Sequence, residues 1–380
     1  MAKYFLIAGE ASGDLHAGKL MEQILLCDPD AVFKGLGGDQ MAASGCALYQ
    51  HIRSMSFMGF VAVLQNWRKV RENFLIAREA LLKERPDVLI LIDYPSFNLR
   101  MAKFCRKYLP QTRIVYYIPP KVWAWKRRRI HRIANLCDEV LGIFPFEPAF
   151  YANYGYQCTY VGNPTMETIS RFLTTNQKQK TKPSIVILPG SRPGEIRHCL
   201  PKMLASASHF PDYTITVCAA PGIEDTFYTP YIHHARVTLT RDTYTAVLNA
   251  SAALVNSGTA TLETALLGCP QVAVYHLSCS SLIRLIRWAK PLLFSIRHFT
   301  LVNIISQKEV IKEYVADDFT EANVTRELDR LLNDEGYKKE MLVSYEHLSV
   351  LLGSQPASSI AAKRITALLP AKPTHTASSR

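Results

Sequence analysis

Short apolar runs recur along the first half of the chain, each closed by glycine, proline or an acid and followed by a segment with helical spacing. Tyr4–Ala8 ends at Gly9 and gives way to a polar turn and a helical pattern from Leu15 to Leu26. Val32–Gly35 repeats the strand-then-glycine theme. Behind Pro86, the stretch Asp87–Ile92 (DVLILI) is continuously apolar after its first residue, as a strand covered on both faces of a parallel sheet must be. Arg113–Ile118 and Glu139–Ile143 read as two more strands. The alternation pauses at Thr174–Pro183, which contains no apolar residue and is the expected interdomain linker. It restarts with Ser184–Leu188, Tyr213–Cys218, Ala252–Asn256 and Gln271–Tyr275. Strands alternating with helices predict an α/β protein of two similar doubly wound domains facing each other.

Length agrees with two domains, because 380 residues exceed the roughly 250–300 at which a single core stops growing. Nine scattered cysteines without a CxxC pair argue against a disulfide framework and a zinc site. The opening apolar run is too short for a signal peptide, and no window approaches the ~20 apolar residues of a spanning helix, so a cytoplasmic protein is expected. Pro370–Arg380 is small, polar and basic and reads as a disordered tail. A net charge of +12 suits an anionic partner: nucleic acid, a phosphorylated ligand or a membrane surface.

Ligands of open α/β sheets bind beyond the carboxyl ends of the strands, which directs attention to six loops. Gly9-Glu-Ala-Ser-Gly-Asp14 allows a tight turn at a helix N-terminus, but Glu10 and Asp14 would repel phosphate, and Asp14 also reads as a cap of the helix that follows. Gly35-Leu-Gly-Gly38 reads as a plain turn. Ile92-Asp93-Tyr-Pro-Ser-Phe-Asn98 sets a carboxylate at the end of the best strand, where it can serve as a base or as a hydrogen-bonded turn residue. Pro119-Pro-Lys-Val-Trp-Ala-Trp-Lys-Arg-Arg-Arg129 joins two indoles to four consecutive basic residues, a pattern that suits anions, sugars, acyl chains or a solvated helix face. Leu188-Pro-Gly-Ser-Arg192 brings small residues and a guanidinium fork suited to pyrophosphate. Asn256-Ser-Gly-Thr-Ala-Thr-Leu-Glu263 places hydroxyls and N–H groups at another helix start, with Glu263 within reach of ribose hydroxyls; its bland reading is a capping turn.

These segments, taken in order, resemble the lipid-A-disaccharide synthases, an inverting transferase family of the two-Rossmann-domain GT-B fold. The resemblance covers about residues 4 to 350 through AGEASGD (8–14), MGFVAVL (58–64), PDVLILIDYPSFN (86–98), VWAWKRRRI (122–130), FPFEPAFY (144–151), LPGSR (188–192) and NSGTATLE (256–263). It implies an acceptor-side domain over 1–173, a UDP-sugar domain over 184–350 across a cleft from it, and a C-terminal segment over 351–380. The implied reaction joins UDP-2,3-diacylglucosamine to 2,3-diacylglucosamine 1-phosphate (lipid X), giving a β-1′,6-linked disaccharide phosphate and UDP, with no cofactor and no metal.

The resemblance also implies roles. Asp93, Glu10 and Asn303 are the catalytic candidates, Asp93 or Glu10 being the base. Gly190, Ser191, Arg192, Ser257, Gly258, Thr259 and Glu263 are expected on the donor. Ser12, Met58, Phe60, Val61, Trp123 and Trp125 are expected on the acceptor or membrane side. Three positions depart from the family pattern: Ser96 stands where relatives often carry an acid, Asn163 where they often carry histidine, and Val302 precedes Asn303 where they often carry proline. Acylated substrates imply peripheral attachment to the inner membrane, and Ser54–Leu64 with Trp67, Arg68, Lys69 and Arg71 mixes apolar and basic residues as an anionic interface requires. Ile283–Phe294 mixes them likewise, and both stretches read equally well as packed helices. A homodimer is compatible with the family. Two other readings are weighed: another GT-B enzyme, such as the peptidoglycan N-acetylglucosaminyl transferase or a UDP-sugar epimerase, and a basic nucleic-acid-binding protein. The AGEASGD and VWAW segments disfavour the first; no known nucleic-acid module has this pattern on a doubly wound sheet.

Overall fold

The computed structural model describes residues 1–55, 67–124, 127–179, 182–232, 236–256, 258–276 and 298–369. Met58, Phe60, Val61, Trp125, Ser257, the stretch Ile283–Phe294 and the tail from Pro370 lie outside the described residues. The chain forms two compact units, Met1–Pro164 with Gln355–Arg380, and Thr165–Ser354.

The first unit holds a parallel sheet of β1 (Lys3–Ala8), β2 (Val32–Gly37), β3 (Ala47–His51), β4 (Val88–Ile92), β5 (Arg113–Tyr117), β6 (Glu139–Gly142) and β7 (Thr159–Tyr160) in the order β3-β2-β1-β4-β5-β6-β7. Its helices are α1 (Ala11–Cys27), α2 (Asp39–Ala43), α3 (Trp67–Glu84), α4 (Pro95–Tyr108), α5 (Arg129–Leu136) and α6 (Glu147–Ala152). Every residue of β4 is buried, because helices cover both faces. Phe5, Ile7, Leu89 and Leu91 point to the face packed by α3, α4 and α5; Leu6, Ala8, Ile90 and Ile92 point to the opposite face, packed by α1.

The second unit begins with α7 (Pro164–Thr175) and carries β8 (Ser184–Leu188), β9 (Thr214–Cys218), β10 (Val237–Thr240), β11 (Ala252–Asn256), β12 (Gln271–Tyr275) and β13 (Glu313–Val315), all parallel, in the order β10-β9-β8-β11-β12-β13. Its other helices are α8 (Pro193–Ser208), α9 (Thr243–Asn249), α10 (Thr259–Leu266), α11 (Leu301–Ser306), α12 (Glu321–Asn333) and α13 (Glu335–Leu352). A last helix, α14 (Ala357–Thr366), belongs to the first unit.

Both boundaries differ from those expected. Thr174 and Thr175 finish α7, and the polar residues behind them run along the second unit: the Gln179 N–H donates to Asn249 Oδ1 at 2.7 Å, and Lys178 Nζ to the Ala250 carbonyl at 3.5 Å. Polarity here marks a surface strap of that unit, and the division falls ahead of it, at Pro164/Thr165. Residues from Gln355 do not form a separate segment. Ala361, Ala362 and Ile365 of α14 enter the core beside Ala17, Leu20 and Ile24 of α1, and Arg364 pairs with Glu139 at 2.8 Å. Small alanines on both helices permit that close packing.

Candidate active site

In a doubly wound sheet the crevice opens where strand order reverses. In the first sheet this falls between β1 and β4, whose register pairs Ala8 with Ile92. The chain therefore leaves the two strands side by side, through Gly9–Glu10 and Asp93–Tyr94. Asp93 and Tyr94 both adopt left-handed backbone, with φ 45° and 46°, and Ile118, just beyond β5, does so with φ 61°. Each such non-glycine residue costs of order 1–3 kcal/mol and persists only where its surroundings hold it. Here Asn98, fully buried on α4, donates to the Asp93 carbonyl at 2.7 Å and to that of Ile92 at 3.2 Å. The buried Tyr116 hydroxyl donates to the Asp93 carbonyl at 2.7 Å.

The Asp93 backbone is thus fixed at the strand exit, with the residue half-buried. Burial lifts its pKa above the ordinary carboxylate value, while the Lys121 ammonium and the Tyr94 N–H pull it back. Lys121 is exposed over its length, yet protein crowding its ammonium lowers its pKa, with Asp93 and Glu147 opposing. A carboxylate with a raised pKa is a stronger base, and a neighbouring cation keeps it ionised. Glu10 stands half-buried at the N-cap of α1; its charge, after burial, contributes to raising the Tyr94 hydroxyl. Ser12 is exposed in the first turn of α1.

Three residues take other places than expected. Asp14 lies inside α1 and caps a different helix: its carboxylate accepts from the N–H groups of Gly38, Gln40 and Met41 at 2.7, 2.9 and 3.1 Å, closing the glycine turn before α2. Trp123 packs inside the first unit rather than standing on an open surface. It is 6% exposed, meets Phe144 and Phe146 edge-on, and donates to Glu147 Oε1 at 3.3 Å. Glu147 is fully buried and also accepts from the N–H groups of Ile143 and Phe144 at 2.8 and 2.9 Å. Among the departures, Ser96 is exposed and receives a long contact from Arg129 at 3.4 Å, and buried Asn163 donates to the Ile143 carbonyl at 3.0 Å.

The second sheet reverses between β8 and β11, where Leu188 pairs with Val255. Gly190 leaves β8 with φ 116°, and a Cβ there would lie 2.5 Å from Asn256 Nδ2 and 2.7 Å from Glu195 Oε2. Asn256 in turn donates to the Pro189 carbonyl at 3.0 Å, tying the two loops together. Ser191 and Arg192 are exposed. Glu195 accepts from the Ser191 N–H at 3.1 Å and from Arg192 Nη1 at 2.9 Å. Gly258, with φ 133°, and Thr259 open α10, both exposed. Glu263, half-buried one turn on, accepts from the Tyr244 hydroxyl at 3.0 Å, and burial raises its carboxyl pKa against that bond.

Asn303 is the third of these residues, on α11 of the second unit. Its side chain is fully buried and saturated: Nδ2 donates to the Ile311 carbonyl at 2.8 Å and Glu313 Oε1 at 2.9 Å, and Oδ1 accepts from the N–H groups of Val310 and Ile311 at 2.8 and 3.0 Å. Both amide hydrogens and both lone pairs are spent on one turn, so the side chain fixes the approach to β13. Lys121 and His276 also stand at strand exits, beyond β5 and β12. Lys121 was legible as the first residue after Pro119-Pro120, which stiffens the exit from β5; His276 was legible as the residue following β12.

A family model described as lipid-A-disaccharide synthetase matches residues 4–364. A Myxococcus xanthus protein named lipid-A-disaccharide synthase is 34% identical over 382 residues, covering 97% of this chain and 98% of that protein. One of the same name from Acidobacterium capsulatum is 32% identical, covering 94% and 93%. Among solved structures, a UDP-GlcNAc 2-epimerase from Methanocaldococcus jannaschii, in complex with UDP-GlcNAc and UDP, superposes with a TM-score of 0.60 at 10% identity, covering 96% of this chain and 99% of its own; that likeness concerns the fold alone.

Proposed function

The chain belongs to the lipid-A-disaccharide synthetase family, and from that premise we infer how its residues divide the work. It is a glycosyltransferase of lipid A biosynthesis with the GT-B fold, acting on a UDP-sugar. The acceptor is 2,3-diacylglucosamine 1-phosphate and the donor UDP-2,3-diacylglucosamine. The observation that carries this division is that each sheet's reversal point bears one of the two chemistries required: a carboxylate borne on a pinned stretch of backbone in the first unit, an anion-suited pair of helix starts with Arg192 in the second.

Asp93 takes the proton from the acceptor 6-hydroxyl as its oxygen attacks the anomeric carbon of the donor from the face opposite UDP. Its raised pKa supports this choice, while Glu10, whose charge acts on Tyr94, serves to position the acceptor. Ser12 borders the same mouth. Gly190, Ser191 and Arg192 together with Gly258 and Thr259 receive the diphosphate, and Glu263 the ribose. Charge grows on the departing phosphate during the transfer, so donors fixed there before reaction stabilise the transition state. Arg192 then exchanges its bond to Glu195 for one to phosphate. Among the described residues no helix is long and apolar enough to cross a membrane. Attachment to a membrane surface is supported by α3, where Leu75 and Leu82, seven residues apart, are exposed beside Arg68, Lys69 and Arg71.

Incubation of the full chain with both acylated sugars tests this reading. Release of UDP together with the disaccharide monophosphate, detected by mass, is expected. Parallel incubations supply UDP-GlcNAc alone and an unacylated acceptor; epimerisation of UDP-GlcNAc without disaccharide from the acylated pair, or transfer to the unacylated acceptor alone, contradicts it.

A further inference from the structure

Beyond the two loops already described, the carboxyl edge of the second sheet carries a pair of stacked imidazoles. The rings of His198 and His276 lie 4.3 Å apart and only 7° from parallel. His276 is the first residue beyond β12, the strand next to β11. Counting on from the Asn256–Val274 pair, it emerges level with Gly258, at the mouth of the α10 N-terminus. His198 stands in the second turn of α8, the helix whose N-cap is Arg192. Its Nδ1 lies 2.6 Å from the Gly194 carbonyl, which can only accept, so Nδ1 carries the proton and the ring is locked in one orientation.

This arrangement has no evident structural task. His198 is exposed and His276 only half-buried, so neither fills a core. Two imidazoles in face contact repel when both are charged, and Lys202 adds to that repulsion; with burial first, these influences keep His276 below its ordinary pKa in the empty site. An anion held against the pair reverses the balance, because one imidazolium then gains a partner while the second ring, neutral, stacks on it. The loops already assigned to the diphosphate supply a single cation, Arg192, and that cation is shared with Glu195. A diphosphate at this edge needs further positive charge, and His276 stands where it would be delivered.

We infer that His276, oriented by the stacked His198, is a further contact of this enzyme for the phosphate groups of its nucleotide-sugar donor. This rests on the placement of the donor in the second unit. His276 touches the ligand; His198 acts through it and is a positioning residue.

Titration calorimetry with the full-length protein separates the possibilities. UDP and uridine are titrated into the wild type, His276→Ala, His276→Arg and His198→Ala, with the thermal midpoint of each variant recorded. The expected result is an approximately tenfold loss of UDP affinity in His276→Ala, with uridine affinity unchanged and UDP affinity restored by arginine. His198→Ala, an exposed position, is expected to weaken UDP to a smaller extent and carries the same test should His276→Ala fail to fold. UDP affinity within twofold of wild type in both alanine variants overturns the inference while leaving the donor site standing. Equal losses for UDP and uridine overturn it as well, by assigning the pair to nucleoside recognition. A wild type that binds neither ligand defeats the donor assignment itself, and this inference with it.

Discussion

The ring of Tyr94 fills the space a side chain on Gly9 would occupy: a Cβ there would lie 2.3 Å from Tyr94 Cγ and Cδ1. Tyr94 cannot easily yield, since its hydroxyl donates to the Met55 carbonyl at 3.1 Å and its ring packs on Phe97. Gly9→Ala should therefore cost about 1–3 kcal/mol in chemical denaturation, in the range of overpacked cores. Asp93 adjoins Tyr94, so kcat should fall further than the loss of folded protein explains. An unchanged kcat per folded molecule would show that the two strand exits are not coupled.

Asn303 makes a contrasting prediction. Asn303→Ala leaves the N–H groups of Val310 and Ile311 without their acceptor inside the second unit. The expected loss is about 2–6 kcal/mol of unfolding free energy, from two buried donors at ~1–3 kcal/mol each. It should be the same with and without UDP, and a denaturant titration in both conditions checks it.

Glu147 predicts a pH effect on stability. Burial lifts its carboxyl from near 4.5 in the unfolded chain to about 7 in the fold, against the bonds from Phe144, Ile143 and Trp123 and the charge of Lys121. Between those values the folded state keeps a proton that the unfolded chain has released. Its contribution to stability is therefore full below about pH 4.5, declines as pH rises to about 7, and is constant above, a total change of about 3 kcal/mol. Glu147→Gln cannot ionise, so the wild type should lose stability relative to this variant across that window. Parallel stability curves for the two proteins would refute the raised pKa.

Much of this architecture was legible in the chain, and the strands that were not share one property. The runs Tyr4–Ala8, Asp87–Ile92, Ser184–Leu188 and Ala252–Asn256 are interior strands, apolar on both faces, and they announce themselves. The four overlooked strands, β3, β7, β10 and β13, are the four sheet edges. An edge strand is paired on one side only and is short or half-exposed, so it has no continuous apolar run to read. The site divides in the same way. Asp93, Gly190 and Gly258 were visible because strand exits carry turn residues. The partners of Asp14 and Asn303 were not: those of the first come from Gly38–Met41, some two dozen residues on, and those of the second from the turn into an edge strand, Val310–Glu313, which carries no pattern of its own. The histidine stack joins residues 198 and 276 on different elements, and no spacing rule foretells it.

The central claim is that the left-handed strand exit holds Asp93 as the base that activates the acceptor hydroxyl. Single-turnover transfer by Asp93→Asn, with UDP affinity measured on the same preparation, tests it most directly. With Asp93 as the base, UDP should bind within about twofold of wild type and disaccharide formation should slow at least ~100-fold, the usual loss when a general base is removed. Near-normal turnover with intact UDP binding would contradict it and pass the role to Glu10.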